Sequence, residues 1–195
     1  MSLIVQKYGG TSVGDVERIK RVARRVVQAK AEGHDLVVVV SAMAGETDRL
    51  LGLAAQVSDA PDERELDVIV ATGEQISIGL LSLAIQQQGC KARSFTGSQV
   101  RIQTDAAHTK AKIVSVEADR GLALSERDHV AVLGASTDFE AHLAIGVLAC
   151  RLRPMLRTAY LSRGAHQADE GIDYRRCWPD VGGENECSRE HHHDR

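Results

Sequence analysis

Five consecutive apolar residues, Leu36 to Val40, four of them valine, restrict what this chain can fold into more than any other stretch. The run is too short for a buried helix and has no polar alternation, so it reads as a strand covered on both faces. Strands of that kind belong to parallel sheets sandwiched between helices. The flanks agree. Leu3 to Gln6 reads as an earlier short buried strand, followed by the glycine turn Gly9-Gly10. From Asp15 to Ala31 the apolar residues Val16, Ile19, Val22, Ala23, Val26 and Val27 recur at helical spacing, and Gly33 closes that helix. After the run, the small residues Ser41 to Gly45 lead into a second helix from about Thr47 to Val57. This order is a right-handed β-α-β unit. With aromatics at 3 %, the core must be built from Val, Leu, Ile and Ala. The expected fold class is α/β, a three-layer αβα sandwich with a mainly parallel sheet.

Beyond this unit, Ser58 to Arg64 reads as a loop, and Glu65 to Gln88 as a long apolar helical region interrupted near Thr72 and Gly73. Lys91 to Phe95 is the next expected strand. Two further β/α elements follow, with a helix around Asp119 to Glu126 and a strand around His129 to Leu133. Past Gly134 the composition shifts. No lysine occurs after Lys112, while three of the four cysteines, the only Trp and two of the three prolines lie in this last part. The expected division is therefore 1–133, a folded α/β part, and 134–195, a divergent or frame-shifted tail. Within the tail, Ala141 to Leu152 has helical character, and Gly164 to Arg195 reads as poorly ordered.

The chain has 195 residues, a formal net charge of −3 and a pI near 6.2, which gives no basic field for nucleic acid or an anionic membrane. No unbroken apolar run approaches the roughly 20 residues of a membrane span, and the expected location is the cytoplasm. Cys90, Cys150, Cys177 and Cys187 are far apart without a C-x-x-C pair, against a metal knuckle or a disulfide framework. Neither His34, His108 and His129 nor the terminal His191 to His193 reads as a metal site, so no metal ligand is assigned.

Three short segments could carry chemistry. Lys7-Tyr8-Gly9-Gly10-Thr11-Ser12-Val13 lies between a strand and a helix, where glycine N–H groups and a helix N-terminus can cradle a phosphate. Lys7 adds a mobile positive charge suited to a transferring phosphoryl group. The competing reading is a plain turn with a solvated lysine and Thr11 or Ser12 as a helix cap. Ser41 to Thr47 again follows a strand, at the sheet end where open α/β folds bind ligands. There Ser41 and Thr47 can bond anionic oxygens, although on pattern alone Thr47 reads first as a helix cap. In Ala71-Thr72-Gly73-Glu74-Gln75, an acid surrounded by apolar residues needs a cation such as an ammonium group. The alternative is an exposed first-turn glutamate behind a cap. Arg18, Arg21, Arg24 and Arg25 read as a solvated helix face.

Taken with Val39-Val40-Ser41-Ala42-Met43, Thr47-Asp48, Thr72-Gly73-Glu74-Gln75 and Thr104-Asp105-Ala106-Ala107-His108, the Lys7 segment resembles the amino-terminal catalytic domain of bacterial aspartate kinases, within the amino acid kinase family. The resemblance runs from Ser2 to about Val132. It implies transfer of the γ-phosphoryl group of ATP, with Mg²⁺, to the side-chain carboxylate of L-aspartate. The product would be 4-phosphoaspartate, for lysine, threonine and methionine synthesis. It further implies that Lys7, Tyr8, Gly9, Gly10 and Ser41 form the ATP side, Lys7 also offsetting transition-state charge, and that Thr47 and Glu74 bind aspartate, Glu74 through the ammonium group. A carboxylate nucleophile is already ionised at neutral pH and needs no general base.

The family's Gly-Phe-Gln-Gly turn, its Gly-Arg-Gly-Gly-Ser-Asp loop and its Tyr-Thr-Asp-Val-Asp-Gly segment are not in this sequence. The reading is thus an aspartate kinase by descent, truncated in its catalytic domain. Two alternatives stay open: another carboxylate or carbamate kinase of the same fold, and a catalytically dead fragment that binds nucleotide or associates with other chains, homo-oligomers included.

Overall fold

A computed structural model describes residues 3–100, 102–106, 108, 113–116 and 129–134. Strands β1 (Leu3–Tyr8), β2 (Asp35–Val40), β3 (Ala92–Phe95) and β6 (Val130–Gly134) form one sheet in the order β1-β2-β6-β3, every pair parallel. The valine run is its interior, as continuous apolar character demands. Helix α1 (Val16–Ala31) crosses between β1 and β2, α2 (Glu46–Val57) follows β2, and α3 (Glu63–Gln86) leads to β3. A separate antiparallel pair, β4 (Ile102–Thr104) with β5 (Ile113–Val116), stands where the sequence suggests only a β/α repeat.

Alternate residues of the sheet go to opposite faces. Tyr8, Leu36, Val38, Val40, Val130 and Val132 pack beneath Ile19, Val22, Ala23 and Val26 of α1 and Ile78, Leu81 and Ile85 of α3. Val5, Val37, Val39, Ala131 and Leu133 have the other parity and are also buried. Burying a Val, Leu or Ile side chain stabilises by roughly 1.5–3 kcal/mol, so this two-sided packing is the main source of cohesion. The mainly parallel α/β architecture inferred from the valine run is the one observed.

Local signals set the helix ends. Asp15 caps α1 by accepting the Arg18 N–H at 2.8 Å, and Asp62 caps α3 by accepting the N–H groups of Arg64 at 3.0 Å and Glu65 at 3.3 Å. The break expected near Thr72 and Gly73 does not exist, because α3 runs unbroken and the Thr72 hydroxyl bonds back to the Ile69 carbonyl at 2.7 Å. Strand β1 extends to Tyr8, past the expected end at Gln6.

Helix α3 is also long and apolar enough, by length and composition, to cross a membrane, a property that a count of unbroken apolar runs passes over. Its buried residues, Gly73, Glu74, Ser77, Ile78, Leu81, Ser82 and Ile85, form one stripe against the sheet and the other helices, as in a core helix. The expected helices at 119–126 and 141–152 and the tail to residue 195 lie outside the described residues.

Candidate functional site

The carboxyl ends of three strands lie side by side, with Tyr8 paired to Val40 and Val40 to Gly134. Two turns emerge from this edge. The first, after β1, tightens at once into a 3-10 turn (Gly10–Val13), in which the Ser12 N–H bonds the Gly9 carbonyl at 2.9 Å. The second, residues 41–45, is tied to the first by the Ser41 N–H on the Tyr8 carbonyl at 3.2 Å, and it closes with Gly45 at φ +79°.

Glycine at position 10 is a steric requirement, since a Cβ there would lie 2.7 Å from the Ala42 carbonyl oxygen. Lys7 shares the strand parity of Val5, away from α1 and α3, and its ammonium lies about one van der Waals contact from where a Gly9 side chain would begin, at 4.0 Å. The lysine head therefore sits over the glycine turn. Helix macrodipole support is weaker than the sequence suggests. The helical segment at the turn is one four-residue 3-10 turn, and the N-terminus of α1 is already occupied by Asp15. Neither Thr11 nor Ser12 caps a helix. What remains for an anion is the backbone of the turn and the charge of Lys7.

Thr47 is not a cap either. Helix α2 begins at Glu46 behind Gly45, with no side-chain capping bond, and the half-buried Thr47 sits in its first turn. The Tyr8 ring is buried in the core beneath α1 and α3, and its hydroxyl donates to the Gln6 side-chain oxygen at 3.1 Å. Only the backbone of Tyr8 reaches the edge. Ser41 is half-buried at the start of the second turn.

Glu74 decides between the two readings of its segment. It is 6 % exposed in the middle of α3, not an exposed first-turn residue. Burial pushes its carboxyl above the usual carboxylate range, while the backbone N–H groups of Glu74 itself and of Ala42 act in the opposite direction. Among the described residues its Oε2 has no hydrogen-bond partner. A buried carboxylate with such an oxygen is costly unless a cation or proton reaches it. Gly134 abuts it: a Cβ there would lie 2.9 Å from the Glu74 Cβ.

The structure thus gathers Gly10, Ser41, Ala42, Gly73, Glu74 and Gly134 around the sheet edge. From sequence, Ala42, Gly73 and Gly134 carry no site role; for Ala42 and Gly73, smallness within the motifs is the available signal. Arg18, Arg21, Arg24 and Arg25 are exposed on α1, as expected, with Arg18 bonding the Thr11 carbonyl at 2.7 Å. His108 meets Asp67 of α3 at 2.9 Å. Among the described residues no group of three or more His, Cys, Asp or Glu side chains could hold a metal ion.

Residues 2–146 match the model of the amino acid kinase family. An aspartate kinase of Stutzerimonas stutzeri is 59 % identical over 120 residues, covering 62 % of this chain and 29 % of that protein. The crystal structure of an aspartate kinase from Synechocystis superposes with a TM-score of 0.66 at 38 % identity, over 82 % of this chain and 28 % of that one. Aspartokinase III of E. coli, in complex with aspartate and ADP, shares the fold with a TM-score of 0.66 at 18 % identity, over 84 % of this chain and 49 % of that one. This chain spans under a third of the curated relative's length. A glycine-lined edge on a parallel sheet, the motif order and the match over most of the sequence lead to one conclusion: the chain belongs to the amino acid kinase family.

Proposed function

We propose that the chain carries one wall of an aspartate kinase cleft, built to bring the γ-phosphate of ATP to the side-chain carboxylate of L-aspartate and give 4-phospho-L-aspartate. In this reading the Gly9-Gly10 backbone and Lys7 hold the phosphates, with Ser41 beside them, and Lys7 offsets the charge that grows on the transferring group. Thr47 and Glu74 orient aspartate, Glu74 taking its ammonium group. The carboxylate attacks ionised, so the wall supplies position and charge rather than a base. Mg²⁺ would arrive on the ATP phosphates. A reaction of this kind fits amino-acid biosynthesis in the cytoplasm.

The observation that carries the reading is Glu74, buried at the strand ends with one oxygen that has no partner among the described residues. A substrate ammonium would supply the missing donor. Calorimetric titration of the chain with L-aspartate in the presence of ATP and Mg²⁺ tests it. Glu74→Gln should weaken aspartate binding by about 1.5–3 kcal/mol, the range of a charge-assisted contact, roughly 10- to 150-fold. Unchanged aspartate affinity in Glu74→Gln would overturn the reading.

A further inference from the structure

Helix α3 runs against the direction of the strands. At its end the Gln86 side-chain amide donates to the carbonyl of Ala92, the first residue of β3, at 2.8 Å, and in its middle Glu74 abuts Gly134, the last residue of β6. The unbroken helix therefore carries its first turns past the carboxyl ends of the strands. Asp67, about two turns before Glu74, stands about 10 Å further along the helix axis on that side. The antiparallel pair β4–β5 leaves the main sheet at the same edge. Strand β3 ends at Phe95, paired with Leu133, and a turn closed by the Gln99 N–H on the Thr96 carbonyl at 3.1 Å leads toward β4. Among the described residues β4 and β5 pair only with each other. The motif Thr104-Asp105-Ala106-Ala107-His108 begins on the last residue of β4, and its final residue crosses to α3. His108 Nδ1 lies 2.9 Å from Asp67 Oδ2, a bond between residues 41 positions apart. An ionised carboxylate only accepts, so the imidazole nitrogen donates.

We infer that His108 is a positioning residue: its bond to Asp67 fastens the β4–β5 pair to the part of α3 that overhangs the strand ends, and so sets one side of the approach to Glu74. Both partners are partly exposed, at 45 % and 41 %, so the bond has the strength of a surface contact and acts on the β4–β5 pair rather than on the whole fold. The consequence for function rests on the aspartate reading above. The fastening bears on the side of the site where α3 carries Glu74 and leaves the Lys7 turn alone.

Amide hydrogen exchange of the full chain, followed by NMR, tests the fastening. His108→Ala should speed exchange in Ile102–Thr104 and Ile113–Val116 by about 2- to 5-fold, the size expected of an exposed polar pair, and leave Leu36 to Val40 unchanged. Asp67→Ala should do the same, and the double substitution should add nothing to either. His108→Asn, whose amide places a donor near the Nδ1 position, should restore protection. Unchanged exchange in either alanine variant, additive effects of the two, or equal loosening of Leu36 to Val40 overturns the proposal. Calorimetry reads the positioning role: with ATP and Mg²⁺ present, L-aspartate affinity should fall in His108→Ala and recover in His108→Asn, while ATP affinity holds in both. Unaltered aspartate affinity in His108→Ala, where Glu74→Gln does weaken it, overturns that role. If Glu74→Gln leaves aspartate binding unchanged as well, the substrate reading fails instead, and the exchange measurements alone decide the fastening.

Discussion

At the scale of single residues, the structure separates side chains that the sequence presents as equals. Tyr8 and Lys7 are adjacent in one motif, yet strand parity sends the ring into the core and leaves the lysine head over the glycine turn. Replacing Lys7 by alanine should weaken ATP binding by about 1.5–3 kcal/mol, read by calorimetry; unaltered nucleotide affinity would remove Lys7 from the phosphate side. Glu74 carries a signature in pH. Its carboxyl is raised in the folded chain, so the fold binds this proton more tightly than the unfolded chain does. The associated stability is present below the ordinary carboxylate range and is lost as pH rises through the raised value. Urea denaturation of the parent and Glu74→Gln should therefore show the substituted chain gaining on the parent from pH 4 to 7, and parallel curves would contradict the burial argument. The acid was legible in sequence as an ion among apolar neighbours. That its Oε2 has no partner among the described residues is not legible there, because it depends on which segments meet α3 in space.

Among the elements, β2 and α1 were readable to within a residue, since a valine run and an amphipathic stripe each admit one structure. At Gly73 the sequence reads as a break, whereas α3 runs through it. The glycine's role is close approach to Ala42, a contact between segments that lie far apart in sequence. The distinction can be measured. Gly79 in α3 and Gly52 in α2 have open space around the position of a Cβ. Alanine at either should stabilise by about 0.5–1 kcal/mol through helix propensity, whereas alanine at Gly73 should fail to give that gain. Thermal denaturation of the three variants checks the pattern, and equal stabilisation at all three positions would mean that Gly73 has no tight neighbour.

For the whole molecule, the parallel architecture followed from sequence because apolar runs on two-sided strands leave few alternatives, while the strand order did not, since nothing local says that β6 lies between β2 and β3. Activity is likewise a whole-molecule property. In the proposed reading Lys7, Ser41, Thr47 and Glu74 form one wall, and the family's Gly-Arg-Gly-Gly-Ser-Asp loop is missing from the sequence. One lost preorganised donor alone typically costs about 10²- to 10³-fold in rate. The purified chain should release little or no aspartate-dependent ADP with Mg²⁺ and saturating ATP. Turnover of about 1–100 s⁻¹, the ordinary range for kinases, would show that the cleft is complete. The strand order has a further result, in time rather than in space. Among the described residues, strand β3 joins the sheet only through β6, so after β1, α1 and β2 have come together from neighbouring sequence, β3 has no described edge to join until residues 130–134 arrive. Until then β2 keeps one open edge and the turn bearing Ala42 lacks Gly134 beside Glu74. Strand β6 thus joins β2 to β3 and brings Gly134 beside Glu74 in the same event, so on the folding path this part of the acid's surroundings forms only when these strands pair.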